Sequence, residues 1–280
     1  MSFKIIDSNL AAMLISTGKN YKIIVISDTH IAGRTGYLPK GCKHERGEDQ
    51  LQTIHQVTME KHLLLALKGI GKADVVIFLG DMIDGRNAKA GGLDVSNVNT
   101  DIQVEWAMIF AKSVLDILKP KYVLGLSGSD YHVESLLDKR LLHSISLHYP
   151  NTEVFFGDNL KFVLGDKLWY LAHRFIEGAS KGGTLERYWN KLCTKTFGRE
   201  RTPDIIGYGH VHQAQNPYQI KNGPNPVYGF VCPSQKVPDS FCSKGSMGTF
   251  WEIGFMYLEQ KGTRLTGEYV NTYEYWNIEQ

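Results

Sequence analysis

Residues 22–30 read KIIVISDTH, and the six from Lys22 to Ser27 include the β-branched run Ile23, Ile24, Val25 and Ile26. A run this short and apolar predicts a strand buried on both faces. A second one, DVVIFL from Asp74 to Leu79, comes after Ile54, Val57, Leu64, Leu65, Leu67 and Ile70, whose spacing predicts a helix. Strand, helix, strand, with both strands apolar throughout, predicts a parallel sheet covered on both faces.

Working outward, Ala32 to Gly47 is a Gly-containing polar loop and Gly85 to Asn99 another. Asp101 to Leu118 reads as an amphipathic helix ended by Pro120, and Tyr122 to Leu126 as a third strand. The second half changes character. Short strands are predicted at Glu153 to Phe156, Leu160 to Leu164, Lys167 to Ala172, Asp204 to Tyr208, Pro226 to Val231, Phe250 to Leu258 and Arg264 to Thr272. A helix is predicted over Thr184 to Phe197, whose Tyr188, Trp189, Lys191 and Lys195 fit aromatics packed inward better than a base-stacking surface. A second sheet packed on the first makes an α/β fold, a two-sheet sandwich. With no repeat, low-complexity tract or separating linker, residues 1–280 are expected to form one domain with inserted loops.

Bulk properties exclude little. An apolar content of 42% and a charged content of 21% are those of an ordinary globular chain. A formal net charge of +2 gives no global pull on nucleic acid. Cys42, Cys193, Cys232 and Cys242 are scattered without a C-x-x-C pair, as expected of free thiols in a reducing compartment. No run approaches the roughly 18 apolar residues of a membrane span, and Leu10 to Ile15 is too brief for a secretory signal. A cytoplasmic location is the expectation.

Two pairs stand out: Asp28-x-His30 after the first strand, and Gly209-His210-x-His212 after Asp204 to Tyr208. In extended backbone, residues i and i+2 face the same way, so each pair is expected to pinch one ion or two adjacent ions from a strand end. Asp81, the region Gly128 to His132, and His173 also follow predicted strands. Ligands of α/β sheets gather at the carboxyl ends of strands, where such residues can converge.

At this point the chain resembles the calcineurin-like metallophosphoesterases, whose ordered boxes are D-x-H, G-D-x-x-D, G-N-H-D/E, a lone His, and G-H-x-H. Here they read Asp28-Thr29-His30, Gly80-Asp81-Met82-Ile83-Asp84, a changed third box, His173 in Leu171-Ala172-His173, and Gly209-His210-Val211-His212, over roughly residues 22 to 235. The resemblance implies a four-layer αββα sandwich and a dinuclear centre hydrolysing a phosphate ester through a metal-bridging hydroxide. One divalent metal would be held by Asp28, His30 and His212, the other by His173 and His210, with Asp81 bridging them. Asp84 would orient the bridging carboxylate or close its loop. Two cations about 3.5–4 Å apart neutralise phosphate oxygens and lower the pKa of a bound water. Mixed imidazole and carboxylate ligands suit Mn, Fe, Zn or Ni.

The third box departs from the family, reading Gly128-Ser129-Asp130-Tyr131-His132. Ser129 or Asp130 is expected to fill the coordination position of the missing asparagine. His132 would protonate the leaving oxygen or bind the phosphate. Arg34, Arg86, Asn87 and Arg174 stand beside the boxes, where they could grip phosphate oxygens. The expected substrate is a phosphodiester, a nucleotide or nucleic acid, ahead of a phosphomonoester or phosphoprotein. A non-catalytic interaction scaffold on the same fold competes with these, but retention of all six Asp and His ligands favours an enzyme.

Overall fold

The computed structural model describes residues 3–5, 13–16, 20–86, 94–129, 136–174, 183–196, 201–222, 225–238 and 252–273. In chain order, the first half holds β1 (Phe3–Ile5), β2 (Met13–Ser16), β3 (Asn20–Ile26), α1 (Ile54–Ile70), β4 (Val75–Phe78), α2 (Thr100–Leu118), β5 (Tyr122–Leu126) and α3 (Leu137–His148). The second holds β6 (Glu153–Gly157), β7 (Asn159–Leu164), β8 (Lys167–Ala172), α4 (Gly183–Thr196), β9 (Ile205–Tyr208), β10 (Gln215–Lys221), β11 (Val227–Val231), β12 (Ile253–Lys261) and β13 (Arg264–Tyr273).

Two sheets result. The first runs β1-β6-β5-β4-β3-β12-β13, parallel from β1 to β3 and closed by the antiparallel pair β12 and β13. The second runs β10-β11-β9-β8-β7-β2, with β11, β9 and β8 mutually parallel. The alternation of side chains along β3 decides how they stack. Ile24 and Ile26 face α1, α2 and α3, in a core with Leu63, Phe78, Phe110 and Leu141. Ile23 and Val25 face the second sheet, in a core with Phe162, Trp169 and Phe230. On the far side, Leu185 of α4 packs with Ile206, Tyr208 and Val231, and Trp189 and Leu192 lie against them. The layers are therefore helices, sheet, sheet, helix, the two-sheet α/β sandwich expected. Each fully buried aliphatic or aromatic side chain in these cores contributes about 1.5–3 kcal/mol.

Local signals set the element ends. Thr53 and Gln56 form a reciprocal capping box at the start of α1, and Gln56 Nε2 donates on to Gly36 O at 2.9 Å, tying the helix to the loop after β3. The Asn99 side chain caps α2 by accepting from Asp101 N–H. The buried stripe of α1 differs from the expected one. It is Gln56, Met59, Leu63 and Leu67, while Ile54, Val57 and Leu65 are exposed. Three consecutive leucines spread apolar character around the helix, so the spacing that predicts it does not single out the buried side. The helix α3 and the strands β1, β2 and β10 were not expected; β12 runs from Ile253, and Phe250, expected to start it, lies outside the described residues. No described helix is long and apolar enough to cross a membrane.

Candidate metal centre

The parallel neighbours β3, β4 and β5 end at one edge of the first sheet and deliver Asp28 with His30, Asp81 with Asp84, and Ser129. In the second sheet, the parallel neighbours β8 and β9 deliver His173, and His210 with His212. Backbone bonds lock these loops together: Asp28 N–H to Gly80 O, His30 N–H to Asp81 O and Ile31 N–H to Met82 O, each 3.0 Å, and Gly209 N–H to His173 O at 3.2 Å.

The backbone that carries the ligands is not extended. Asp28 (φ 53°), His30 (φ 45°), Asp81 (φ 50°), His210 (φ 67°) and His212 (φ 52°) all lie in the left-handed region. The pairs Asp28/His30 and His210/His212 therefore do not face one way by strand alternation, which corrects the reason given from sequence. They sit just past their strands, in turns whose helical reversal aims each side chain separately. Left-handed φ is uncommon outside glycine and tolerated best by Asn, Asp and His, the residue types found here.

Six side chains meet in two groups whose potential ligand atoms lie within 4.8 Å of one another: Asp28, His30 and His212 in one, and Asp28, Asp81, His173 and His210 in the other. His210 and His212 are thus split between the groups. The residue common to both is Asp28, whereas the resemblance gave the bridging place to Asp81. All but His210 are buried, so the more open side of the cluster is that of His210.

Neighbours hold four of these six side chains in place. His30 Nδ1 lies 2.9 Å from Asp84 Oδ1, and His173 Nδ1 lies 2.8 Å from Leu79 O. Donation to those acceptors directs both Nε2 atoms at the cluster. Asp84 thus stands against His30. Asp28 Oδ2 accepts from Ser27 Oγ–H and from His210 N–H at 2.9 Å. Asp81 Oδ1 accepts from Ser129 N–H at 2.7 Å, and Ser129 Oγ lies 3.2 and 3.0 Å from its two oxygens. Ser129, expected as a replacement ligand, lies against the Asp81 carboxylate. Asp130 and His132 lie outside the described residues.

Whether this donor set fits a metal is decided at Asp28 Oδ1. It is wholly buried with no well-aligned hydrogen bond, and it faces Nε2 of His30, His173 and His212 at 3.8, 3.8 and 3.3 Å. Ligand atoms each about 2.0–2.2 Å from one cation sit at comparable mutual distances. A carboxylate oxygen ringed by three imidazoles fits a first-row divalent ion.

The charges of the metal-free cluster compensate one another. Burial lowers the His30 pKa, and the Lys236 charge adds to that, yet Asp28 and Asp84 against its two nitrogens hold it at about 9. Burial likewise works against the His173 imidazolium, but Asp81 and Asp28 raise it to about 10. Against the pull of burial, His173 and His212 keep Asp28 well below the carboxylate range, and His173 does the same for Asp81. His212 is pushed down by burial to about 4, despite Asp28. His30 and His173 are thus pushed toward the imidazolium form by the carboxylates beside them.

No protein-family model matches the chain, and none of the curated proteins does. Among solved structures it is similar to the calcineurin-like phosphoesterase YfkN from Bacillus subtilis, at 11% identity over 91% of each chain, with a TM-score of 0.37. It is also similar to the NAD nucleotidase NadN of Haemophilus influenzae, at 12% identity over 89% of this chain and 49% of that one, with a TM-score of 0.31. A protein of unknown function, AQ665 from Aquifex aeolicus, matches at 15% identity over 68% of this chain and 79% of that one, again with a TM-score of 0.31. Likenesses this remote leave the chemistry to be read from the residues themselves.

Three residues escaped the sequence reading. Ser27 orients Asp28. Asp138 is a wholly buried carboxyl on α3 that burial, with Asp81 nearby, pushes up to about 7. Lys236 is buried at 6% exposure, its charge acts on His30 and His212, and Gln235 N–H to Asp28 O at 3.1 Å anchors its loop. None stands in a recognisable spacing; only Ser27, beside a candidate ligand, carried any local signal. Arg34, Arg86 and Arg174 are exposed beside the boxes, and Asn87 lies outside the described residues. His44, His55, His62 and His148 pair with Asn97, Tyr273, Thr272 and Ser144, away from the cluster.

Proposed function

We propose that this protein is a divalent-metal-dependent phosphoesterase, acting on a phosphodiester such as a nucleotide or nucleic acid ahead of a phosphomonoester or phosphoprotein. One observation carries the reading: loops from two sheets bring six Asp and His side chains into two ligand groups that share Asp28. Asp28, His30 and His212 would hold one cation, and Asp81, His173 and His210, with Asp28, the second. Two such cations supply Lewis acidity toward phosphate oxygens and lower the pKa of bound water; Mn, Fe, Zn and Ni all suit the donors, with Mn the first choice for assay.

The chain's own residues prepare that site. Asp84 and the Leu79 carbonyl fix the tautomers of His30 and His173, and Ser129 fixes Asp81. His132 is assigned to proton delivery at the leaving oxygen, and exposed Arg34, Arg86 and Arg174 to the rim where substrate phosphate enters. The same reading takes residues 1–280 as one phosphoesterase domain in a reducing, cytoplasmic setting, in keeping with free thiols at Cys42, Cys193 and Cys232.

The test is hydrolysis of bis-p-nitrophenyl phosphate, p-nitrophenyl phosphate and single-stranded DNA with Mn²⁺, alongside elemental analysis. Faster turnover of the diesters, abolished by chelation and in Asp81→Asn, is expected. Two bound metals with inactivity on all three substrates, or activity that survives in chelator-treated Asp81→Asn, would overturn it.

A further inference from the structure

The ligand groups are assembled from strand ends, yet one buried carboxyl comes from a helix. Asp138, the second residue of α3, is wholly buried. Its Oδ2 accepts the Gly128 N–H at 2.9 Å, and the Met82 amide, without a well-formed hydrogen bond, lies near enough to lower the pKa of the same carboxyl. These two amides belong to different loops. Gly128 directly precedes Ser129, and Met82 directly follows Asp81.

The two loops press together with no space between them. A Cβ on Gly128 would stand 2.0 Å from Asp81 Oδ1 and 2.5 Å from Asp81 N. Across that contact, Ser129 offers both its N–H and its hydroxyl to the Asp81 carboxylate, whose other oxygen lies 3.0 Å from His173 Nε2. Small shifts of either loop would break this set, since hydrogen bonds weaken steeply with misalignment.

We propose that Asp138 is a positioning residue that ties the Gly128-Ser129 loop to the Asp81-Met82 loop and so aims the Asp81 carboxylate at His173. Its consequence for metal binding rests on the phosphoesterase reading; its effect on the loops does not. Oδ1 of Asp138 has no hydrogen-bond partner, so the role uses acceptor geometry on one side of the group, and asparagine can supply it. A role that depended on the negative charge would not survive that replacement.

The experiment compares wild type, Asp138→Ala and Asp138→Asn as full chains. Amide hydrogen exchange at Met82, Gly128 and Ser129 is measured in chelator, and Mn²⁺ binding by calorimetry, with His210→Ala and His212→Ala assigning the two phases. In Asp138→Ala, the three amides should exchange roughly tenfold faster or more. The phase assigned to His210 should weaken roughly tenfold or more, while the His212 phase holds. Asp138→Asn should match wild type in both. Unchanged exchange in Asp138→Ala, damage by Asp138→Asn equal to that by Asp138→Ala, or equal weakening of both phases overturns the proposal. Should Asp138→Ala not fold, Asp138→Ser, whose hydroxyl is too short to reach both amides, takes its place. A wild-type chain that binds no Mn²⁺ removes the phosphoesterase reading, and the exchange rates still decide the case for Asp138.

Discussion

Replacing Gly209 by alanine probes how tightly the backbone is packed against the shared ligand. The new Cβ would stand 2.1 Å from Ser27 Oγ and 2.8 Å from Asp28 Oδ2, so the Ser27 hydroxyl must leave the oxygen it now serves. Overpacking a tight site costs about 1–3 kcal/mol, and losing a hydrogen bond to a buried carboxylate about 1.5–3 kcal/mol. Gly209→Ala should therefore destabilise the metal-free protein by about 2.5–6 kcal/mol. Ser27→Ala removes the same hydrogen bond and should cost about 1.5–3 kcal/mol. Because both single variants lose one shared bond, the double variant should fall short of their sum by about 1.5–3 kcal/mol. Urea unfolding of the four proteins in chelator, with equal denaturant slopes, measures the cycle. Additivity within about 0.5 kcal/mol would show that Ser27 is not what Gly209 makes room for.

Other outcomes are equally specific. Asp84→Ala frees the His30 ring and should weaken the cation bound by Asp28, His30 and His212 by about 10–100-fold, with Asp84→Asn milder because its amide oxygen still accepts from Nδ1–H; a chromogenic chelator competition reads this, and unchanged affinity counts against it. Each of His30 and His173 must lose a proton to bind metal, so at pH 7 binding should release about one proton per cation, measured by calorimetry in buffers of different ionisation enthalpy; no release refutes the assignment. The pKa values of about 9 and about 10 for these histidines lie above the ordinary 6.5. Their stabilising effect on the metal-free protein is therefore complete below pH 6.5 and is lost as pH rises through 9 and 10, while metal affinity rises over the same range. The increase in Tm produced by a fixed cation concentration should grow from pH 6.5 to 8.5; an increase that shrinks would contradict the charge assignment.

The strands that place the centre were legible because β3 and β4 are short β-branched runs and β5 a short apolar one, each buried on both faces, and that pattern needs no tertiary context. All six Asp and His candidate ligands were visible as residue types after predicted strands. The orientation of those ligands was not visible, since a left-handed φ at Asp28 or His212 leaves no periodic trace. The face of α1 misled because Leu63, Leu64 and Leu65 offer several stripes, and the choice of Met59, Leu63 and Leu67 follows from the sheet beneath. Asp138 was invisible for a related reason: its hydrogen-bond partner is a backbone amide of another loop.

The left-handed turns also bear on how this chain would change if selection for metal chemistry were relaxed. A non-glycine residue in that region costs about 1–3 kcal/mol, and five ligand positions bear that cost together. Glycine would relieve it at each one, and asparagine would ease much of it while keeping the shape of aspartate. Deep mutational scanning scored for folding alone should therefore enrich glycine and asparagine at Asp28, His30, Asp81, His210 and His212. Scoring for activity should expel both, so the two fitness maps would diverge most sharply at these five turns.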